Sequence, residues 1–124
     1  MLELAGYKVG DIAYISDRTT ICHGVRNSDN QKVVIKFQNN EHPTKEDLIS
    51  IKREYMIASK NYGDNVIKAY DAINYKNSIA IVFEDFGAQS LAELLGTKKL
   101  DFKKKLFVAV NIAEALVQVH KQGV

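Results

Sequence analysis

The sequence predicts an α+β domain: a five-stranded antiparallel sheet with one helix packed on it, followed by a short helix and then a long one. Three observations carry that expectation. The first third of the chain is rich in β-branched and aromatic residues broken by turn-formers. A helix-capping signal opens an amphipathic stretch directly after it. A continuous apolar run, Ile79-Ala-Ile-Val-Phe83, then reads as a strand buried on both faces.

The elements follow in order. Val9, Ile12 and Tyr14, then Thr19-Thr20-Ile21-Cys22, then Val33-Val34-Ile35 mark three strands between Tyr7 and about Phe37. Ser16-Asp17-Arg18 and Asn27-Ser28-Asp29-Asn30 separate them, so they form a meander. Pro43, the only proline, precedes Thr44, and Asp47 stands three residues further on, the spacing of a capping box. Leu48, Ile51, Tyr55 and Ala58 then step by three, four and three, an amphipathic helix that ends before Gly63. Val66-Ile67 through Ile73, a polar turn from Asn74 to Ser78, and Ile79 to Phe83 make a second hairpin. A short helix from Ser90 to Leu95 is closed by Gly96. Asp101 caps the long helix, in which Leu106, Val110, Ala113, Val117 and His120 share a stripe until Gly123 stops it.

Bulk properties narrow the class. With 124 residues, 46% of them hydrophobic, the chain can bury one compact core or two small lobes of one domain. A net charge of +2 with interspersed signs points to neither nucleic acid nor an anionic membrane, and Lys103-Lys104-Lys105 reads as a solvated first helical turn. Cys22 stands alone, so no internal disulfide forms, and no Cys/His spacing matches a metal site. The N-terminus lacks the pattern of a signal peptide, and no apolar run approaches the roughly 18 residues of a membrane span. A cytoplasmic setting without membrane insertion is expected. His120, His23 and His42 have no ligand spacing and are expected to play structural roles.

Lys36 breaks the apolar pattern of "QKVVIKF". Strand alternation puts Val34 and Lys36 on one face, with Val33, Ile35 and Phe37 on the other. Lys36 either snorkels from an edge strand or meets a carboxylate. Glu54 is the candidate, because at about 100° per residue it lies beside Ile51 and Ala58, on the shoulder of the helix's apolar stripe. Its helical neighbours Ser50, Ile51, Ile57 and Ala58 carry no positive charge, so a partner must come from elsewhere in the fold; otherwise Glu54 is a solvated surface residue.

The ordered set (a β-hairpin poor in glycine, Val-Val-Ile-Lys, a helix bearing Lys-Arg-Glu-Tyr, Ile-Val-Phe-Glu-Asp-Phe-Gly, Gln-Ser-Leu, and a long helix ending Val-His-Lys-Gln-Gly-Val) resembles the amino-terminal part of a eukaryotic-type protein kinase domain. The resemblance spans nearly the whole chain, with 18 residues from Lys36 to Glu54. It implies a kinase amino-terminal lobe and hinge over residues 1–86, and the start of the carboxy-terminal lobe over residues 87–124. Lys36 matches the lysine that holds the α- and β-phosphates of ATP, and Glu54 the glutamate that orients it. Ile21 and Val34 match the aliphatic pair that sandwiches adenine, and Phe83 the gatekeeper. Glu84 and Phe86 fall in the hinge, whose main chain pairs with the adenine edge, and Ser90 stands where a polar group meets the ribose. ATP with magnesium is the implied cofactor.

Two departures accompany it. The resemblance places Tyr14, Ser16 and Thr19 where a phosphate-covering loop has glycines, although Ser16, Arg18, Thr19 and Thr20 bring side-chain donors. Asp17-Arg18 reads equally well as a plain hairpin turn. The family's catalytic aspartate and magnesium ligands follow the long helix, and the sequence stops at Val124, so these 124 residues are expected to be inactive alone, with Mg ligands outside them. The long helix's uncovered stripe predicts a homodimer, or a helix repacked on its own sheet.

The implied activity is transfer of the γ-phosphoryl of Mg-ATP to Ser or Thr in bacterial signal transduction. "FEDFGAQSL" and neighbouring phrases resemble the kinase segment of bacterial multi-sensor proteins that end in a histidine kinase. The alternatives are a pseudokinase or docking domain of such a sensor, and third a small-molecule kinase of the aminoglycoside or choline type. Expected partners are ATP and a protein substrate or attached sensor domains.

Overall fold

The computed structural model describes residues 3–63, 66–85, 87, 95–96 and 101–124. Five strands, β1 (Tyr7–Ile15), β2 (Thr19–Arg26), β3 (Lys32–Gln38), β4 (Ala69–Tyr75) and β5 (Ser78–Glu84), form one sheet in the order β1-β2-β3-β5-β4. Every neighbouring pair is antiparallel. Helix α1 (Lys45–Ala58) and helix α2 (Phe102–Lys121) complete the described elements. Of the expected short helix, residues 90–94 lie outside the described residues, while Leu95 and Gly96 have helical backbone. The α+β class and the five-stranded antiparallel sheet are as the sequence predicts.

The chain divides into two compact units. The first, Met1–Lys60 with Ile67–Asp85, contains the sheet and α1. Its strands alternate between two faces, and the outer face is filled by Cys22, Val33, Ile35, Phe37, Ala80 and Val82, with Leu4 and Tyr7 over them. Phe37 meets the Tyr75 ring edge-on at 4.8 Å between centroids. Gly24 is required there, since a Cβ would come within 2.8 Å of the Lys8 carbonyl and 2.9 Å of Ile35 Cδ1. On the inner face α1 packs against β4 and β5, burying Ile51 with Ala69 and Ile81 and drawing in Tyr55, Ala58, Ile79 and Phe83.

Local chemistry explains the boundaries. The Thr44 hydroxyl accepts from the Asp47 N–H while the Asp47 carboxylate accepts from the Thr44 N–H, so both halves of the capping box form. The β2–β3 turn is held by Arg26, which donates to both Asp29 oxygens at 3.0 and 2.7 Å. Asn30 takes the left-handed backbone there, at φ 58°. The second hairpin is tighter than the sequence indicates. Asn74 and Tyr75 remain in β4, the turn is Lys76-Asn77 with Lys76 at φ 52°, and β4 begins at Ala69 rather than at Val66. Register shifts interrupt β1 between Val9 and Ile12 and again between Ile12 and Tyr14, and β4 between Ala69 and Asp71.

The second unit comprises Asn61–Val66 and Phe86–Val124. The Asp101 carboxylate caps α2 by accepting from the Lys104 N–H at 2.8 Å. Gln122 Nε2 donates to the Asn61 carbonyl at 2.7 Å, tying the helix's end to the 61–63 segment. Leu106, Val110 and Val117 of the predicted stripe are about half exposed, and Phe102 and Phe107 are more exposed still. His120 is also exposed rather than packed. Among the described residues no helix is long and apolar enough to cross a membrane.

Candidate functional site

The inner face of β2, β3 and β5 gathers the predicted residues by register alone. Ile21 lies opposite Lys36, which lies opposite Ile81; one step along, His23 lies opposite Val34, which lies opposite Phe83. Ile21, Val34, Lys36 and Phe83 therefore form one contiguous patch. α1 crosses the β5 side of that face and leaves Ile21, Val34 and Lys36 half-buried beyond it.

Lys36 and Glu54 meet. Lys36 Nζ donates to Glu54 Oε1 at 2.8 Å, with the two side chains 26% and 38% exposed. That partial exposure decides what the pair can do: the ammonium is held in place by a carboxylate, yet remains open to an anionic ligand arriving on the same face. Ile51 and Tyr55, which pack inward on Ala69 and Ile81, lie on either side of Glu54 along α1. A cavity of about 620 Å³ opens beside Glu54, bounded by Asp17 and Arg18 of the hairpin tip, Gln38 of β3, and Asp47 and Ser50 of α1.

The remaining predicted residues divide. Phe83 is half-buried against the Ile51–Ile81 cluster. Glu84 is turned to Lys68, just before β4: its Oε1 accepts from the Lys68 N–H at 3.0 Å while its own N–H donates to the Lys68 carbonyl. Phe86 and Ser90 lie outside the described residues. The tripeptide Asp85-Phe86-Gly87 follows β5 directly in sequence.

At the hairpin tip two expected side-chain donors are already engaged. The Ser16 hydroxyl donates to the Thr19 carbonyl at 3.4 Å while accepting from the Arg18 and Thr19 N–H groups at 3.4 and 3.2 Å, and the buried Thr20 hydroxyl donates to Asn39 Oδ1 at 2.7 Å. Arg18 stays exposed at the cavity rim.

Sequence reasoning missed two participants. His23, expected to play a structural role, is half exposed, and its Nδ1 lies 3.4 Å from Asp85 Oδ2, just past the end of β5. Asn39 bonds the hairpin tip from the end of β3. Neither leaves a local signal, since both partnerships join segments distant in sequence. Cys22 is fully buried, and burial raises its thiol pKa, which leaves it packed and unreactive.

A family model described as the protein kinase domain matches residues 17–124. The chain belongs to the protein kinase domain family, whose members are phosphotransferases using ATP and magnesium. A search of curated proteins returned no match.

Proposed function

We propose that the chain is the ATP-binding lobe of a protein kinase that transfers the γ-phosphoryl of Mg-ATP to Ser or Thr hydroxyls in bacterial signal transduction. Residues 1–86 form its amino-terminal lobe and hinge, and residues 87–124 begin the carboxy-terminal lobe. The observation that supports this reading is the 2.8 Å Lys36–Glu54 bond on the face that also carries Ile21 and Val34. A held cation beside an apolar shelf fits a ligand with a flat ring at one end and phosphates at the other.

In this reading Glu54 fixes the Lys36 ammonium, which neutralises charge on the α- and β-phosphates and positions them for in-line transfer. Ile21 and Val34 exclude water around adenine, Phe83 closes the back of the slot, the Glu84 carbonyl and Phe86 N–H meet the purine edge, and Ser90 meets the ribose. Mg-ATP supplies the transferable phosphoryl group and the cation that screens its charge. Among the described residues no three His, Cys, Asp or Glu side chains converge as a metal-ligand set. The setting proposed is cytoplasmic, with a protein substrate or attached sensor domains as partners, and with the exposed apolar residues of α2 as a homodimer contact.

Lys36→Met tests the reading. It is expected to weaken ATP binding by about tenfold, the loss of one charge-assisted contact, and to abolish phosphotransfer by the protein. Unchanged ATP affinity and turnover would sink it. The hairpin tip favours a second reading, a pseudokinase that regulates an attached sensor histidine kinase. With the Arg18 and Thr19 N–H groups bonded to Ser16, the backbone donors that cover phosphate in active kinases are occupied. Phosphate incorporation into a Ser/Thr substrate separates the two.

A further inference from the structure

Three hydrogen bonds converge on Asn39, which immediately follows β3 and stands three residues beyond Lys36. Its Nδ2 donates to the Ser16 carbonyl at 2.8 Å, its backbone N–H donates to the Arg18 carbonyl at 2.8 Å, and its Oδ1 accepts from the Thr20 hydroxyl at 2.7 Å. They grip the β1–β2 hairpin on both sides of its tip. Within the tip, Ser16 N–H donates to the Thr19 carbonyl at 2.8 Å and the Ser16 hydroxyl takes the N–H groups of Arg18 and Thr19, so the turn is closed on itself. Closed on itself, the tip is tied to the rest of the sheet by Asn39, directly after the strand that carries Lys36.

We infer that Asn39 is a positioning residue: it clamps the hairpin as a preformed flap over the phosphate end of the nucleotide site, in fixed relation to Lys36. The inference rests on the nucleotide-binding reading proposed above. Two consequences follow from the geometry. The flap covers the phosphates by pre-organisation and not by backbone donation, so its effect is confined to ligands long enough to reach it. The adenine end, formed by Ile21 and Val34, is indifferent to it.

The experiment compares wild type with Asn39→Ala, and with Asn39→Asp, which keeps the Thr20 acceptor but removes the donor to Ser16. Residue-resolved amide exchange follows Ser16, Thr19, Ala80 and Val82, and titrations with ATP and with adenosine follow the site. Asn39→Ala is expected to speed exchange at Ser16 and Thr19 by about tenfold, the loss of two side-chain hydrogen bonds, while Ala80 and Val82 stay protected. It is expected to raise the ATP Kd about threefold with little change for adenosine. If Asn39→Ala loosens the whole sheet, Asn39→Asp is read by the same criteria. Unchanged exchange at the tip overturns the clamp, and faster exchange with unchanged ATP affinity overturns its positioning role. A wild-type chain that binds neither adenosine nor ATP defeats the nucleotide reading and the flap's role with it. The exchange data then still show whether Asn39 holds the hairpin, so the two failures are distinguishable.

Discussion

The two faces of the sheet are filled to different degrees. On the outer face Cys22, Val33, Ile35, Phe37, Ala80 and Val82 are no more than 1% exposed. On the inner face α1 buries Ile81 and Ala69 but leaves Ile21, Val34 and Lys36 half-open. Because successive residues of β3 alternate between the faces, one step along the chain passes from a packing position, Ile35, to a site position, Lys36. Stability and ligand chemistry are thus divided by strand parity, and substitutions on the two faces should have separable effects.

The largest effect is expected for Phe37→Ala, which empties a fully packed outer position and should cost about 3–5 kcal/mol, read from the urea midpoint. A loss under about 1 kcal/mol would mean that the outer face tolerates voids and the contrast is false. Gly24→Ala comes next, at about 1–3 kcal/mol from overpacking against the Lys8 carbonyl and Ile35. Thermal melts should show this cost even though one methyl group is gained. Lys36→Met sharpens the comparison from the inner side: its pair is partly exposed, so unfolding free energy should move by less than about 1 kcal/mol while ATP binding drops. Lys36→Met unfolding as readily as Phe37→Ala would erase the distinction.

Thr44→Ala removes half of a capping box on exposed helix termini and should cost about 1 kcal/mol without touching ligand affinity, as chemical denaturation can measure. The smallest effect is in acid. Hydrogen bonds from the Arg26 guanidinium, then from the Gln31 N–H, lower the Asp29 carboxyl to about 2. A lowered folded pKa contributes stability above the unfolded carboxylate range and loses it as pH falls toward that value. Asp29→Asn should therefore flatten the stability profile between about pH 4 and pH 2. A variant whose acid limb overlays wild type would show that the exposed pair adds nothing.

Much of this was legible in residue pattern because it depends on near neighbours. The capping box at Thr44 and Asp47, the inward stripe of Ile51 and Tyr55, and the placement of Lys36 opposite its own apolar neighbours all follow from local periodicity. The Lys36–Glu54 bond was legible only in part: residue pattern left Lys36 free to snorkel, and the resemblance to the protein kinase domain singled out Glu54 as its partner. Other features depend on register and long-range hydrogen bonds, which leave no periodic trace. The Asn39 contacts, the His23–Asp85 pair and the double shift in β1 belong to this group. The Lys76-Asn77 turn was misplaced because Lys76 is a poor turn-former, and Asn74 and Tyr75 stay in the ladder opposite Ile79 and Ser78.

The register shifts sit in β1 and β4, the two strands at the margins of the sheet. A second chain approaching either margin meets a row of N–H and C=O groups whose spacing is broken, twice along β1 and once along β4. Such a row is a poor template for an extended, evenly spaced partner strand. Irregular rims of this kind disfavour growth of the sheet by edge-to-edge pairing.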